Sequence, residues 1–204
     1  MSIKNIIRRS YLGNLFANLR QVYRRLTFNY RKEMGYCAET AVVIDPISFK
    51  NPKNVFMYDD TGIKRAIVMT PEARFIMKKH SGAAEGLVVL TGNHDRILGR
   101  FYRSIKQEEK VSKDKDVVIE EDCWMGVNVT LLPGVTLRRG TTVAAGAVVC
   151  RDSAPYSVIA GVPAKHVKFY WTIEQILEHE SILYTTEERY TREQLEAYFK
   201  QYTI

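Results

Sequence analysis

The chain has 204 residues, 46% hydrophobic and 26% charged, an ordinary globular composition long enough for one good core and a small appendage. No run of ~18 apolar residues occurs, so a membrane-spanning helix is excluded. The formal charge of +7 sits in one place: residues 1–35 hold eight basic residues against Glu33 alone, while the remainder carries 22 of each sign, which excludes a basic body built to wrap nucleic acid. The N-terminus breaks every apolar stretch with polar or charged residues and has no small-residue cleavage site, unlike a secretory signal. Cys37, Cys123 and Cys150 are an odd set without CxxC spacing. That fits a reduced, cytoplasmic chain better than a disulfide framework or a zinc knuckle, and in the cytoplasm the sequon Asn128-Val129-Thr130 has no consequence.

In chain order, the first element is a helix. Ile3, Ile6, Ile7, Tyr11, Leu15, Phe16, Leu19, Val22, Tyr23 and Leu26 recur at steps of three and four. They predict an amphipathic helix with a basic opposite face, interrupted near Gly13. Packing on its own protein or on a sister subunit is one role for it; peripheral contact with an anionic membrane is the other. Next, Met57, Ile63, Met69 and Phe75 fall six apart, with Thr61 and Ala73 as small partners, although Ile67 and Lys79 fit the pattern poorly. Gly86–Thr91 is again rich in β-formers and leads into Gly92-Asn93-His94. From 95 to 116 the pattern fails in a stretch rich in Lys, Arg and Glu, which reads as a structureless loop thrown out of the repeat, a length that is usually functional.

The clearest signal follows. Ile119, Met125, Leu131, Leu137, Val143 and Val149 are six residues apart without exception. Four residues after each of the first five stand Cys123, Val129, Val135, Thr141 and Ala147, all small or β-branched. A period of six fits neither an amphipathic helix nor a long alternating strand; it predicts short strands separated by turns, three hexads to each coil of a triangular prism. The aliphatic residues point inward and the small ones sit near the corners. One such coil cannot bury its own interior, so coils must stack. Beyond them, Thr172-Ile173-Glu174-Gln175 and Thr191-Arg192-Glu193-Gln194 are capping boxes opening two helices, the second with Leu195, Tyr198 and Phe199 on one side.

The run Val117–Gly126, then Leu132-Pro133-Gly134-Val135, Ala145–Asp152 and Ala160-Gly161-Val162-Pro163-Ala164-Lys165 closely resembles the hexapeptide-repeat acyltransferases. That group includes galactoside, maltose and serine O-acetyltransferases and xenobiotic acetyltransferases, and the tail from Trp171 to Arg189 is similar to that of its sugar acetyltransferases. The resemblance covers roughly residues 40 to 170. It implies a left-handed parallel β-helix over 36–170, which the broken period interrupts with a loop at 95–116 and the helical patterns flank with an N-terminal segment (1–35) and a C-terminal segment (171–204). It further implies a homotrimer with active sites between subunits, and acetyl-coenzyme A as acyl donor to a small hydroxylated acceptor such as a sugar or glycan precursor. Flat prism faces and the apolar Trp124, costly to expose on a monomer, make oligomerisation physically reasonable.

Transfer from a thioester to a hydroxyl needs a base, donors for the developing oxyanion and substrates held in line. Histidine suits the first task because imidazole titrates near neutral pH. The resemblance places the catalytic histidine at His94, where the repeat gives way to the loop. Asn93 beside it either orients the acceptor or forms a turn. For the coenzyme, Gly126, Val127, Ala144, Ala145 and Gly146 offer small side chains for close approach of the pantetheine arm. The family motif carries Val127 and Ala145 onto that arm, Cys150 and Arg151 onto the next coil, and Lys165 and Lys168 onto the phosphates, which suit basic partners. Relatives often have Ser in place of Val127 and Thr-Lys in place of Cys150-Arg151, so hydroxyl contacts are lost while positive charge is kept. No metal is required.

The other histidines have plainer readings: His80 in a solvated turn, His166 beside the Pro-Ala-Lys motif and not required by the family, His179 as a surface or packing residue. No GxSxG elbow exists, and Cys123 and Cys150 occupy repeat positions, so direct attack without an acyl-enzyme is expected. Three alternatives stay open. One keeps the fold and takes a xenobiotic acceptor; another is a zinc carbonic anhydrase, which needs three histidine ligands; the last is a non-catalytic β-helix module.

Overall fold

The computed structural model describes residues 11–27 and 29–202. It divides between Glu33 and Met34 into two compact units, which are taken separately. The first holds helices α1 (Tyr11–Thr27) and α2 (Tyr30–Glu33). α1 runs through Gly13 without the expected break, since one glycine costs a helix only ~1 kcal/mol; Ile3, Ile6 and Ile7 lie outside the described residues.

The second unit is a parallel β-helix whose sequence hexads become three faces. Its first coil is β1 (Tyr36–Cys37), β2 (Val42–Ile44) and β3 (Ser48–Phe49), and its second β4 (Val55–Met57), β5 (Gly62–Lys64) and β6 (Ile67–Met69). The third is β7 (Phe75–Met77), β8 (Gly82–Glu85) and β9 (Val88–Leu90). Then come β10 (Val117–Ile119), β11 (Trp124–Met125) and β12 (Thr130–Leu131), followed by β13 (Thr136–Leu137), β14 (Thr142–Val143) and β15 (Val148–Val149). β16 (Ser157–Gly161) starts a sixth coil and β17 (Ala164–Phe169) turns back antiparallel against it. Face A is ordered β1-β4-β7-β10-β13, face B β2-β5-β8-β11-β14-β16-β17, and face C β3-β6-β9-β12-β15.

The inward ladder follows the hexads where they are strict. Ile119, Met125, Leu131, Leu137, Val143 and Val149 are all buried, as are Cys123, Val129, Val135, Thr141 and Ala147 at the corners. Each fully buried large apolar side chain stabilises by about 1.5–3 kcal/mol relative to exposure. Upstream the sixfold reading misplaces one step. Val68, not Met69, points inward, and Met77 stacks on Met57 across Val55↔Phe75 and Met57↔Met77. The cause is irregular coil length. Face A partners Tyr36↔Phe56 and Val55↔Phe75 lie 20 residues apart, and Val118↔Thr136 lie 18 apart. Only the 18-residue coil is three true hexads, and a slip of one residue exchanges a strand's inner and outer faces.

From the second coil onward, the corner leading into face B places one residue in the left-handed backbone region: Asp60, His80, Asp122, Gly140 and Tyr156. Asn and Asp tolerate this conformation and glycine adopts it freely. Tyr156 does so against its bulk, and its hydroxyl donates to Glu180 at 2.7 Å inside the C-terminal cap. That cap is α3 (Ile173–Leu183) and α4 (Arg192–Tyr202). Both capping boxes form: Gln175 N–H donates to Thr172 Oγ1 at 3.3 Å, and Gln194 N–H to Thr191 Oγ1 at 3.3 Å. Tyr156, Ile176 and Leu195 form its buried centre, with Trp171 and Phe199 packed around them.

Candidate active site

The coil breaks where the sequence pattern broke. Phe75 on β7 pairs with Val117 on β10, so 42 residues separate neighbours on one face. The extra chain leaves at the C–A corner after β9. It is not structureless: short 3₁₀ turns occur at Tyr102–Ser104 and Gln107–Glu109. Its neck is closed by Lys115 N–H donating to Thr91 O at 2.8 Å. Asp116 accepts from the Arg74 guanidinium at 2.6 and 2.9 Å and from the Arg74 N–H at 2.8 Å. Asp95 accepts from the Ser112 hydroxyl and from the Val111 and Ser112 amides, the amides at 2.5 and 2.9 Å; these bonds hold its carboxyl below the usual range. Arg100 bonds Glu109 at 2.7 Å, pulling that carboxyl down to about 2.

His94 stands just inside the neck and is exposed. Its ring meets Tyr102 edge-on at 5.9 Å between centroids, and the Arg96 guanidinium lies 5.3 Å over the same tyrosine. The Asn93 side chain accepts the His94 N–H at 2.8 Å, so it shapes the turn that presents the imidazole. Beneath this turn the Asp114 carboxylate, nearly fully buried, pairs with Lys110. A side chain at Gly92 would collide with that carboxylate, so the glycine before Asn93-His94 is set by the returning arm of the loop. Sequence reasoning missed Tyr102, Arg96 and Asp114, because no period places residues across an irregular loop.

The other expected residues fall into three groups. Gly126, Val127 and Ala145 stack on neighbouring coils at the B–C corner, where Gly146 N–H donates to Val127 O at 2.8 Å. Gly146 adopts φ +72° with open space where a side chain would sit, and Val127 is exposed. Cys150 and Arg151 are exposed at the C–A corner, the corner that carries His94, two coils farther along. Lys165 and Lys168 are exposed on β17, opposite Ala160 and Val158 of β16. No described carboxylate lies within ion-pair distance of Arg151, Lys165 or Lys168, whereas Arg74, Arg100, Arg138, Arg139 and Arg192 each have one. Small residues with open backbone at the B–C corner suit a slender amide arm, and cations without a described carboxylate partner suit a phosphate end.

Gly126 has a structural duty as well. A Cβ there would lie 2.7 Å from Ala145 N and 3.0 Å from its Cα, against backbone that cannot swing aside. Gly126→Ala is expected to lower stability by about 1–3 kcal/mol, measured by denaturant unfolding; an unchanged midpoint would show that the coils are looser than this contact requires.

The remaining histidines and cysteines have structural settings. His80 is exposed beside Asp60 at 3.3 Å. His166 packs on Phe169 and Tyr202, its centroid 4.5 and 4.8 Å from theirs, and burial lowers its pKa. His179 packs against Trp171 at 4.6 Å. Cys123 is buried and its thiol is pushed far up by desolvation, which disfavours a nucleophilic thiolate. Trp124 remains 52% exposed, lying over Gly82 of the neighbouring coil.

Comparison with known proteins agrees with this architecture. Residues 116–151 match the family model described as the hexapeptide repeat of succinyl-transferase. A probable macrolide acetyltransferase from Lysinibacillus sphaericus is 30% identical over 122 residues, 59% of this chain and 66% of that protein. Among solved structures, a hexapeptide-repeat acetyltransferase from Vibrio cholerae, complexed with acetyl-coenzyme A, superposes with a TM-score of 0.61 at 21% identity, covering 81% of this chain and 92% of that one. A maltose O-acetyltransferase from Clostridium difficile gives 0.58 at 18% identity, covering 81% and 91%. By its strict hexads, its stacked three-faced coil and these likenesses, the chain carries the hexapeptide repeat and folds as the hexapeptide-repeat acetyltransferases do.

Proposed function

We propose that the protein transfers an acetyl group from acetyl-coenzyme A directly to a hydroxyl of a small sugar or glycan precursor, with His94 as general base. The observation that carries this reading is the presentation of an exposed imidazole at the neck of an anchored loop, at the C–A corner that also carries Arg151 two coils farther along. His94 accepts the hydroxyl proton as the acceptor oxygen attacks the thioester carbonyl. The carbon–sulfur bond then breaks, and the imidazolium returns the proton to the departing thiolate. Asn93 fixes the turn, Gly126, Val127 and Ala145 line the pantetheine arm, Cys150 lies on the coil's next corner, and Arg151, Lys165 and Lys168 neutralise phosphate.

The arrangement also supports a homotrimer with sites between subunits. Within one chain His94 stands at the C–A corner and the arm-lining residues at the B–C corner, with the whole of face C between them. Corners of a convex prism point apart, so base and thioester meet only when a neighbouring copy brings its own corner alongside. A cytoplasmic location agrees with an odd set of three cysteines without CxxC spacing.

The xenobiotic reading is favoured by the relationship to the macrolide acetyltransferase. The carbonic anhydrase reading has no structural support, since His166 and His179 are packed among aromatic rings and His80 sits against Asp60. Thiol release from acetyl-coenzyme A, followed across sugars and macrolides, separates the acceptor classes, and absence of transfer to any hydroxylated acceptor would favour the non-catalytic module. Arg151→Ala and Lys165→Ala are each expected to weaken acetyl-coenzyme A binding about tenfold. Calorimetry showing a larger effect on the acceptor would overturn the placement of the phosphate end.

A further inference from the structure

We infer that α1 is a surface anchor that lies in the headgroup layer of an anionic membrane. At 100° per residue, Tyr11, Val22, Leu15, Leu26, Leu19, Tyr23 and Phe16 follow one another round an arc of about 140°. All seven are at least 45% exposed. No polar or charged residue of the helix falls within this arc. Its centre is aliphatic and its two edges are aromatic, Tyr11 on one side and Tyr23 with Phe16 on the other. That is the order expected where leucines enter the acyl boundary and amphipathic rings lie at headgroup level. By sequence position, Arg20 and Arg25 fall about 40° beyond the two edges of the arc, placing cationic residues on both flanks.

Charge selects the occupant. Residues 1–35 carry eight basic residues and one acidic residue. A second copy of the same segment would bring like charge against like charge, and the rest of the chain is balanced at 22 of each sign. An anionic lipid surface satisfies both halves of the helix at once. The helix lies on such a surface and does not cross it, since no described helix is long and apolar enough to span. This inference is independent of the transfer reaction. Its consequence would be to hold the enzyme where membrane-borne hydroxylated acceptors are concentrated.

The full chain is tested by co-sedimentation with vesicles of phosphatidylcholine alone and of phosphatidylcholine mixed with phosphatidylglycerol. Binding to the mixed vesicles is expected, at least ~10-fold weaker on phosphatidylcholine and weakened strongly by raising salt from about 0.1 M to about 1 M. The double variant Leu15→Glu/Leu19→Glu, at exposed positions, should lose binding while its thermal unfolding stays unchanged. Arg20→Glu/Arg24→Glu should lose only the preference for anionic lipid. The proposal fails if the parent stays in solution with every vesicle, if it binds both compositions equally, or if the double leucine variant binds as the parent does. It also fails if vesicles are ignored and the leucine variant instead lowers the molar mass seen by light scattering, because the face then belongs to a second copy.

Discussion

His94→Ala is expected to lower acetyl transfer by ~100-fold or more, with acetyl-coenzyme A binding largely retained. The split follows from position. His94 belongs to the loop at the C–A corner, whereas the residues assigned to the pantetheine arm belong to the B–C corner and those assigned to phosphate lie on β17 and after β15. Removing the imidazole takes away the proton acceptor and leaves those surfaces intact. Steady-state rates with saturating donor, together with calorimetric titration of acetyl-coenzyme A, read both quantities. A mutant that turns over at the parent rate would remove His94 from the mechanism. One that loses coenzyme binding in parallel would mean that the loop, and not the base, had been damaged. Tyr102→Phe and Tyr102→Ala refine this result: the ring, edge-on to His94 at 5.9 Å, is expected to matter more than its hydroxyl.

Glu180→Ala is expected to cost about 3–5 kcal/mol of stability, the penalty for stranding the charge of a buried partner. Glu180 on α3 is fully buried, and both its oxygens accept from Arg139 Nη1 at 3.1 Å. It also accepts from the Tyr156 hydroxyl at 2.7 Å and the Tyr190 N–H at 2.8 Å. Arg139 further donates to Glu188 O at 3.0 Å and lies 3.9 Å over the Tyr184 ring. One carboxylate therefore ties the last coil of the β-helix to the helical cap, and it restrains Tyr156 in a backbone conformation a tyrosine rarely adopts. Burial and the neighbouring Glu180 both push the Tyr156 phenol far up, keeping it a hydrogen-bond donor at any working pH. Glu180→Gln keeps the shape and one acceptor, so its loss should be smaller than that of the alanine variant. Equal midpoints for parent and Glu180→Ala in denaturant would show that the cap is held by its apolar contacts alone.

What could be read from the sequence depended on regularity. Ile119 through Val149 announced their burial because those coils are built from true hexads, and each aliphatic residue repeats the same environment. The capping boxes at Thr172 and Thr191 were equally legible, since a cap is completed within four residues. The coil at Met57–Phe75 was recognised as repetitive but mis-registered at Met69, because a corner one residue shorter exchanges inside for outside and leaves no mark in composition. The Glu180 hub was invisible, since its partners Arg139, Tyr156 and Tyr190 are brought together only when the cap closes on the last coil.

The site divides in the same way. The motif Thr91-Gly92-Asn93-His94 and the motifs around Gly126, Ala145 and Lys165 could be singled out by local pattern and resemblance. Their separation onto different corners of the prism could not, because it depends on which residues start each face. Nor could the anchoring of the loop, in which Arg74 reaches Asp116 and Asp114 comes up beneath Gly92. By itself the sequence determined a repeating coil with inward aliphatic ladders, an inserted loop and two capped terminal helices, because those features are set by neighbours within a few residues. Tertiary structure alone decided the register of the early coils, the shape of the loop around His94 and the charge buried under the cap, because each rests on contacts between residues distant along the chain.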